Sequence, residues 1–134
     1  MKAADTSVVV AAFASWHEHH NRALDALHRG LHLIDHCALE TYSVLTRLPP
    51  PHRCPSKVVR DFLRLRFDEP SLRLDAKAYK AFVLELPEHA VAGGSAYDAL
   101  VAATAAAHGA VLITCDRRAA SVYEAYGIRA TYLG

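Results

Sequence analysis

The segment that most restricts this chain is Gly93 to Asp116, GGSAYDALVAATAAAHGAVLITCD, which reads as one helix running into one buried strand. Gly93 and Gly94 give flexible backbone, Ser95 is a favourable N-cap, and the Ala-rich run to His108 carries the highest helix propensity in the sequence. Gly109 stops that helix, and Ala110 to Thr114 is a short apolar run bounded by glycine and by a polar pair. Such a run reads as a strand covered on both sides, the habit of parallel sheets. Asp116 then falls just past the C-terminal end of the strand, at the rim where open α/β sheets bind ligands. Each acid also has a plain structural use. With Ser95, Asp98 makes an S-x-x-D capping pair, and an acid in a first helical turn is worth about 0.3–1 kcal/mol. Asp116 can cap the helix that follows it.

The rest of the chain sets these two acids among others. Lys2 to Ala4 is a short strand ending at Asp5, and Thr6 and Ser7 are N-cap candidates for a helix over Val8 to Phe13. HEHH at His17 to His20 begins or precedes a helix whose apolar face is Ala23, Leu24, Ala26 and Leu27, closed by Gly30. Leu31 to Ile34 is a second strand. Ala38 to Leu48 reads as a helix closed by three prolines, with Glu40 in its first turn. Pro55 and Ser56 open another, with Val58, Val59, Phe62, Leu63 and Leu65 as its apolar face and Lys57, Arg60 and Arg64 on the other side. Ser71 to Leu74 reads as a third strand, and Asp75 caps a helix through Leu86 that buries Tyr79, Phe82, Val83 and Leu86. Arg117 to Tyr126 is the last helix and Ile128 to Leu133 the last strand. Strands alternating with helices imply an α/β domain of three layers, α/β/α, with a mainly parallel central sheet of four to five strands.

Length fits this scheme, because 134 residues with 52% hydrophobic content can bury one core and form a single domain over 1–134. No apolar run reaches the length of a membrane span and the MKAADTS start has no signal-peptide pattern, so the expectation is a soluble, cytoplasmic protein. Three cysteines, Cys37, Cys54 and Cys115, form no C-x-x-C pair and read as reduced thiols. The net charge is +1, so four acids gathered in one pocket leave +5 on the remainder, a mildly basic surface around an acidic hole.

Asp5 and Asp116 follow predicted strands, while Glu40 and Asp98 stand in first turns of helices, so the topology directs four carboxylates to one sheet edge. Like charges that close raise each other's pKa and resist joint ionisation. A divalent cation removes that penalty, and hard Mg²⁺ or Mn²⁺ prefers carboxylate oxygen while retaining waters, one of which can attack a phosphodiester.

The order Asp5-Thr6-Ser7, Glu40 with Arg47 seven residues on, Asp98-Ala99-Leu100 before an Ala-rich helix, Gly109, and Thr114-Cys115-Asp116 resembles that of a PIN domain. At this length the chain is similar to the VapC-type toxin ribonucleases, and the likeness runs from Asp5 to the final strand. The resemblance implies that Asp5, Glu40, Asp98 and Asp116 form the family's acidic metal-binding quartet. It makes Thr114 the hydroxyl residue preceding the last acid. Apart from the resemblance, Thr6, Arg47 and Arg117 are candidates for touching substrate or for supporting the acids, and Arg117 beside Asp116 reads first as a solvated cation. The resemblance further implies Mg²⁺-dependent cleavage of RNA, with Mn²⁺ a substitute, neutralisation by a cognate VapB-like antitoxin, and assembly as a homodimer or a larger complex. Arg117-Arg118-Ala119 departs from the family's usual polar-x-aromatic ending. A non-catalytic PIN-like module that binds RNA or protein, and a DNA-directed nuclease, are the competing readings.

Other residues carry two readings each. His17, His19 and His20 invite a zinc site, yet H-x-H-H lacks a matching pair and suits an exposed helix end. Lys57, Arg60 and Arg64 are a solvated stripe or a phosphate contact. Arg47, two turns beyond Glu40, holds a scissile phosphate or pairs with an acid. Phe13, Trp16, Tyr42 and Leu45 read as core, or as anchors lining a groove for an antitoxin segment.

Overall fold

The computed structural model describes residues 1–134. Four strands make one sheet, β1 (Lys2–Ala4), β2 (His32–Leu33), β3 (Val111–Thr114) and β4 (Ala130–Tyr132), in the order β2-β1-β3-β4 with every pairing parallel. Seven helices flank it: α1 (Thr6–Phe13), α2 (His20–His28), α3 (Asp35–Arg47), α4 (Ser56–Arg66), α5 (Ala76–Glu85), α6 (Ser95–Ala107) and α7 (Ala120–Ala125). Successive side chains of a strand face opposite sides. Leu112 and Ile113 are both buried, so helices cover both faces, and this explains the unbroken apolar run of β3.

The chain leaves β1 for β2 on one side and later places β3 on the other, so the sheet reverses its winding between β1 and β3. Ala4 pairs with Ile113, and the Asp5 N–H extends the ladder to the Ile113 carbonyl at 3.1 Å. The crevice at such a reversal opens beyond the carboxyl ends of the two strands. Asp5 and Cys115-Asp116 stand there because each begins where its strand stops.

The core explains why β1 and α6 are rich in small residues. Ala3, Ala4, Ala11, Ala99, Ala102 and Ala105 are fully buried, and their missing side chains let helix and sheet approach closely around Val8, Leu112 and Tyr123.

Several local expectations are corrected. Ser71 to Leu74 is a single parallel bridge, Leu72 opposite Ile34, with Leu72 N–H on the Leu33 carbonyl at 2.8 Å. Pro70 on one side and the Asp75 cap on the other leave room for only one paired residue. Helix α3 starts at Asp35 rather than Ala38, which moves Glu40 into the second turn. The α1 cap is Asp5 itself, accepting from Val8 N–H, rather than Thr6 or Ser7. Tyr79 and Val83 on α5, Val58 and Leu65 on α4, and Trp16 and Tyr42 are exposed, while Leu45 is fully buried and Phe13 partly so. Helical periodicity marks an apolar face without saying what covers it.

Asp75 does cap α5, accepting from Ala78 N–H at 2.8 Å. Asp75→Ala is expected to lower stability by about 1 kcal/mol, read as a shift of the urea midpoint at constant slope; an unchanged midpoint would show that the α5 cap contributes nothing.

Candidate active site

Asp5, Glu40, Asp98 and Asp116 line one cavity of about 440 Å³, together with Thr6, Ser7, His17, Glu18, His19, Arg118 and Tyr123. Each carboxylate arrives on a different element. Asp5 ends β1, Asp98 rides the first turn of α6, Asp116 follows β3, and Glu40 sits on α3 behind β2.

Asp5 is 4% exposed, and both of its oxygens accept hydrogen bonds while keeping acceptor capacity to spare. Oδ1 accepts from the Ser7 hydroxyl at 2.5 Å and from Val8 N–H at 3.3 Å, while Oδ2 accepts from the Tyr123 hydroxyl at 2.9 Å. Burial raises the Asp5 pKa, and these donors partly offset it. Ser7 also takes the Cys115 N–H at 2.8 Å, so one hydroxyl ties the ends of β1 and β3 together beneath the cavity. Burial and the Asp5 charge push the Tyr123 phenol far above its ordinary range, so it remains a donor at any physiological pH.

Asp98 feels the whole group. Burial raises its pKa first, followed by the negative charge of Asp116; Arg118 opposes them, and Glu40 and Asp5 add further to the rise. The capping role expected for Ser95 and Asp98 is absent. Gly94 is the N-cap position without a side-chain bond, and Ser95 Oγ donates to the Ala92 carbonyl at 2.8 Å. Asp98 therefore makes no capping bond, and its one tie to the helix is the favourable place of an acid in the first turn.

Asp116 does carry one. It accepts from Arg118 N–H at 3.0 Å, capping a 3-10 turn over Arg117–Ala119, and pairs with Arg118 Nη2 at 3.1 Å. Glu40 Oε2 stands 3.7 Å from His36 Nε2, and His36 stacks on Tyr97 with ring centroids 5.3 Å apart. As arranged, no three His, Cys, Asp or Glu side chains already form a ligating group.

The donor set nevertheless suits a hard divalent cation. All four acids present oxygen. Thr6 lines the same cavity, but its Oγ1 is buried away from it beside the Cys37 thiol and has no oxygen or nitrogen partner. The Cys115 thiol is pushed up to about 11 by burial and then by Asp5, so it is protonated at neutral pH and competes neither as nucleophile nor as soft ligand.

Of the remaining expected residues, Thr114 lies fully buried below the cavity, its hydroxyl accepting from Asp116 N–H at 2.9 Å. Arg47 is not brought to the cavity; its Nη1 donates to Ser43 Oγ on the solvent side of α3. Arg117 also points away, its guanidinium 4.9 Å from the Tyr132 ring centroid, and Arg118 takes the place at the cavity. The 3-10 turn causes this exchange, since it rotates consecutive arginines to different sides. Ser7 and Tyr123 are positioning residues whose roles the spacing left open. Ser7 reads from sequence only as an N-cap candidate, with Thr6 as the site candidate of the Asp5-Thr6-Ser7 run, and nothing local marks Tyr123, 118 residues from its partner. His20 Nδ1 bonds the Ala11 carbonyl at 2.8 Å, joining α2 to α1, which accounts for one histidine of HEHH without a metal.

The family model for the PIN domain matches residues 3–125. Ribonuclease VapC40 of Mycobacterium tuberculosis is 55% identical over 124 residues, covering 92% of this chain and 92% of its own. Ribonuclease VapC27 of the same organism is 39% identical over 127 residues, covering 94% and 92%. Among solved structures, a chain in the crystal structure of FitAcB from Neisseria gonorrhoeae superposes with a TM-score of 0.68 at 21% identity, over 97% of this chain and 96% of that one, which shows a shared fold. A parallel sheet wound 2-1-3-4, an acidic crevice at its reversal point and relatives of this closeness agree, and the chain belongs to the PIN-domain family, in its VapC-type group.

Proposed function

We propose that residues 1–134 form a single nuclease domain that hydrolyses RNA phosphodiester bonds with Mg²⁺, for which Mn²⁺ substitutes, as the toxin of a toxin–antitoxin pair. The observation that carries the reading is the convergence of Asp5, Glu40, Asp98 and Asp116 on one cavity, with the Asp98 carboxyl held above its ordinary pKa partly by the other three. Relatives named as ribonucleases supply the substrate class.

Asp5, Glu40, Asp98 and Asp116 would hold the cation, which supplies a water of lowered pKa and neutralises charge developing on the phosphate. Ser7, Tyr123 and Val8 N–H fix the orientation of Asp5, so its oxygens need little reordering. Asp98, free of capping, is the acid most able to turn toward a ligand. Arg118 holds Asp116 in reserve, and its exposed guanidinium is the cationic group best placed to exchange that carboxylate for a phosphate.

The VapC-type relatives support an antitoxin partner, and the apolar surface left open on α5, where Tyr79, Val83 and Leu84 are exposed, is where such a partner or a second copy of the chain would pack. No helix is long and apolar enough to cross a membrane, and we place the activity in the cytoplasm with its RNA substrate.

Purified protein is expected to cleave single-stranded RNA in Mg²⁺, to stop on addition of EDTA, and to resume with excess Mn²⁺. Cleavage that survives EDTA would contradict the reading.

A further inference from the structure

Four aromatic rings form a row leading out of the acidic cavity. His17 and His19 stand in its wall, their ring centroids 5.6 Å apart. Trp16 lies 6.1 Å from His17, and His52, on the α3–α4 connection, lies 4.4 Å from Trp16 at an interplanar angle of 37°. The Trp16 side chain is 50% exposed although His52 supports one side of it. A solitary exposed apolar residue is ordinary. A tryptophan braced by a second ring, and linked through His17 to His19 in the wall of the acidic cavity, is a built surface.

We infer that Trp16, braced by His52, is a stacking platform for an unpaired base of the RNA whose phosphate occupies the cavity. This rests on the nuclease reading and adds a substrate subsite to it. Every base has a π-face, so an indole gains from stacking with any of them, whereas a paired base inside a duplex cannot present its face. The row is continuous with the cavity, so a strand whose backbone reaches the acids carries its neighbouring base along the rings. Arg53, next to His52, is held by its Nε on the Leu48 carbonyl at 2.9 Å and offers a cation for the backbone on that side. The platform makes single-stranded RNA the favoured substrate and gives the loop Ala14–His19 a role in positioning it.

Trp16 is the only tryptophan, so fluorescence excited at the red edge of the absorption, where the six tyrosines do not absorb, reports on this residue alone. The Asp98→Asn protein in Mg²⁺ is titrated with a ten-nucleotide single-stranded RNA, with the same length of abasic ribose-phosphate, and with a duplex. Saturable quenching by the single strand is expected, with little from the abasic chain or the duplex. In steady-state cleavage by otherwise wild-type protein, Trp16→Ala is expected to raise KM roughly ten- to a hundred-fold with kcat changed less, and Trp16→Phe to recover most of the loss. His52→Ala provides a milder variant, with a smaller rise in KM, should Trp16→Ala fold poorly.

Equal quenching by the abasic chain or the duplex overturns the platform, as does an unchanged KM in folded Trp16→Ala. Quenching produced only by a bound antitoxin protein also overturns it and makes Trp16 a partner contact. Metal-dependent cleavage without any Trp16 effect removes the platform and leaves the nuclease reading standing; absence of both cleavage and quenching removes both.

Discussion

Asp98→Asn is expected to reduce RNA cleavage at least 100-fold while raising the melting temperature of the metal-free protein. The two effects have one cause. Loss of an outer-shell partner of a metal ligand already costs roughly 10- to 100-fold, and Asp98 would be a ligand itself. Without the cation the same carboxylate is a burden, since burial and then the charges of Asp116, Glu40 and Asp5 disfavour its ionised form. A raised native pKa means that the folded state binds the proton more tightly than the unfolded one. The stability linked to Asp98 is therefore greatest below the ordinary carboxylate value of 3.8 and is lost as pH rises through the higher native value. Asparagine removes that loss. Thermal melts of wild-type and Asp98→Asn protein in EDTA should converge at low pH and separate in favour of the variant toward neutrality. Saturating Mg²⁺ should reverse their order, because the cation stabilises only the form with an intact ligand set. A variant less stable than wild type at neutral pH in EDTA would show that Asp98 has a structural duty.

Asp5 is expected to separate stability from activity in a different way. Asp5→Asn and Asp5→Ala should both be inactive, but only the alanine protein should lose substantial stability. Asp5 caps α1 and receives the Ser7 and Tyr123 hydroxyls in a buried place. Alanine removes the cap, worth about 0.5–2 kcal/mol. It also strands the Tyr123 hydroxyl, at a cost of about 1–3 kcal/mol. An asparagine oxygen can still accept from one donor set, and the loss of a buried charge offsets part of what its amide nitrogen gives up. Urea unfolding should therefore place Asp5→Ala roughly 2–4 kcal/mol below Asp5→Asn. Equal stabilities would mean that the network around Asp5 is not what holds the ends of β1 and β3 in register.

The legible part of this molecule lay where strands end. An apolar run followed at once by an acid marks both a strand and its rim, and so Asp5 and Asp116 could be placed from local pattern. The parallel order of the sheet followed from strands alternating with helices. Glu40 reaches the cavity despite a misplaced helix start, because α3 still leaves from the same rim. What escaped depends on partners distant in the chain. Tyr123 reaches Asp5 across the molecule, and only coordinates show it. Arg117 and Arg118 are indistinguishable in composition, and a 3-10 turn decides which of them faces the acids. The apolar residues of α5 read as core because periodicity counts faces and not neighbours; in the monomer Phe82 alone is buried there.

The central claim is that four acids scattered along the chain share one divalent cation. Crystals soaked in MnCl₂ and measured at the manganese absorption edge test it most directly. The account predicts an anomalous peak inside the cavity, with carboxylate oxygens of Asp5 and Asp98 within roughly 2.0–2.4 Å of it and Arg118 drawn away from Asp116. A saturating soak that leaves the cavity without a peak, or that puts manganese on the histidines at His17 and His19 instead, would contradict it.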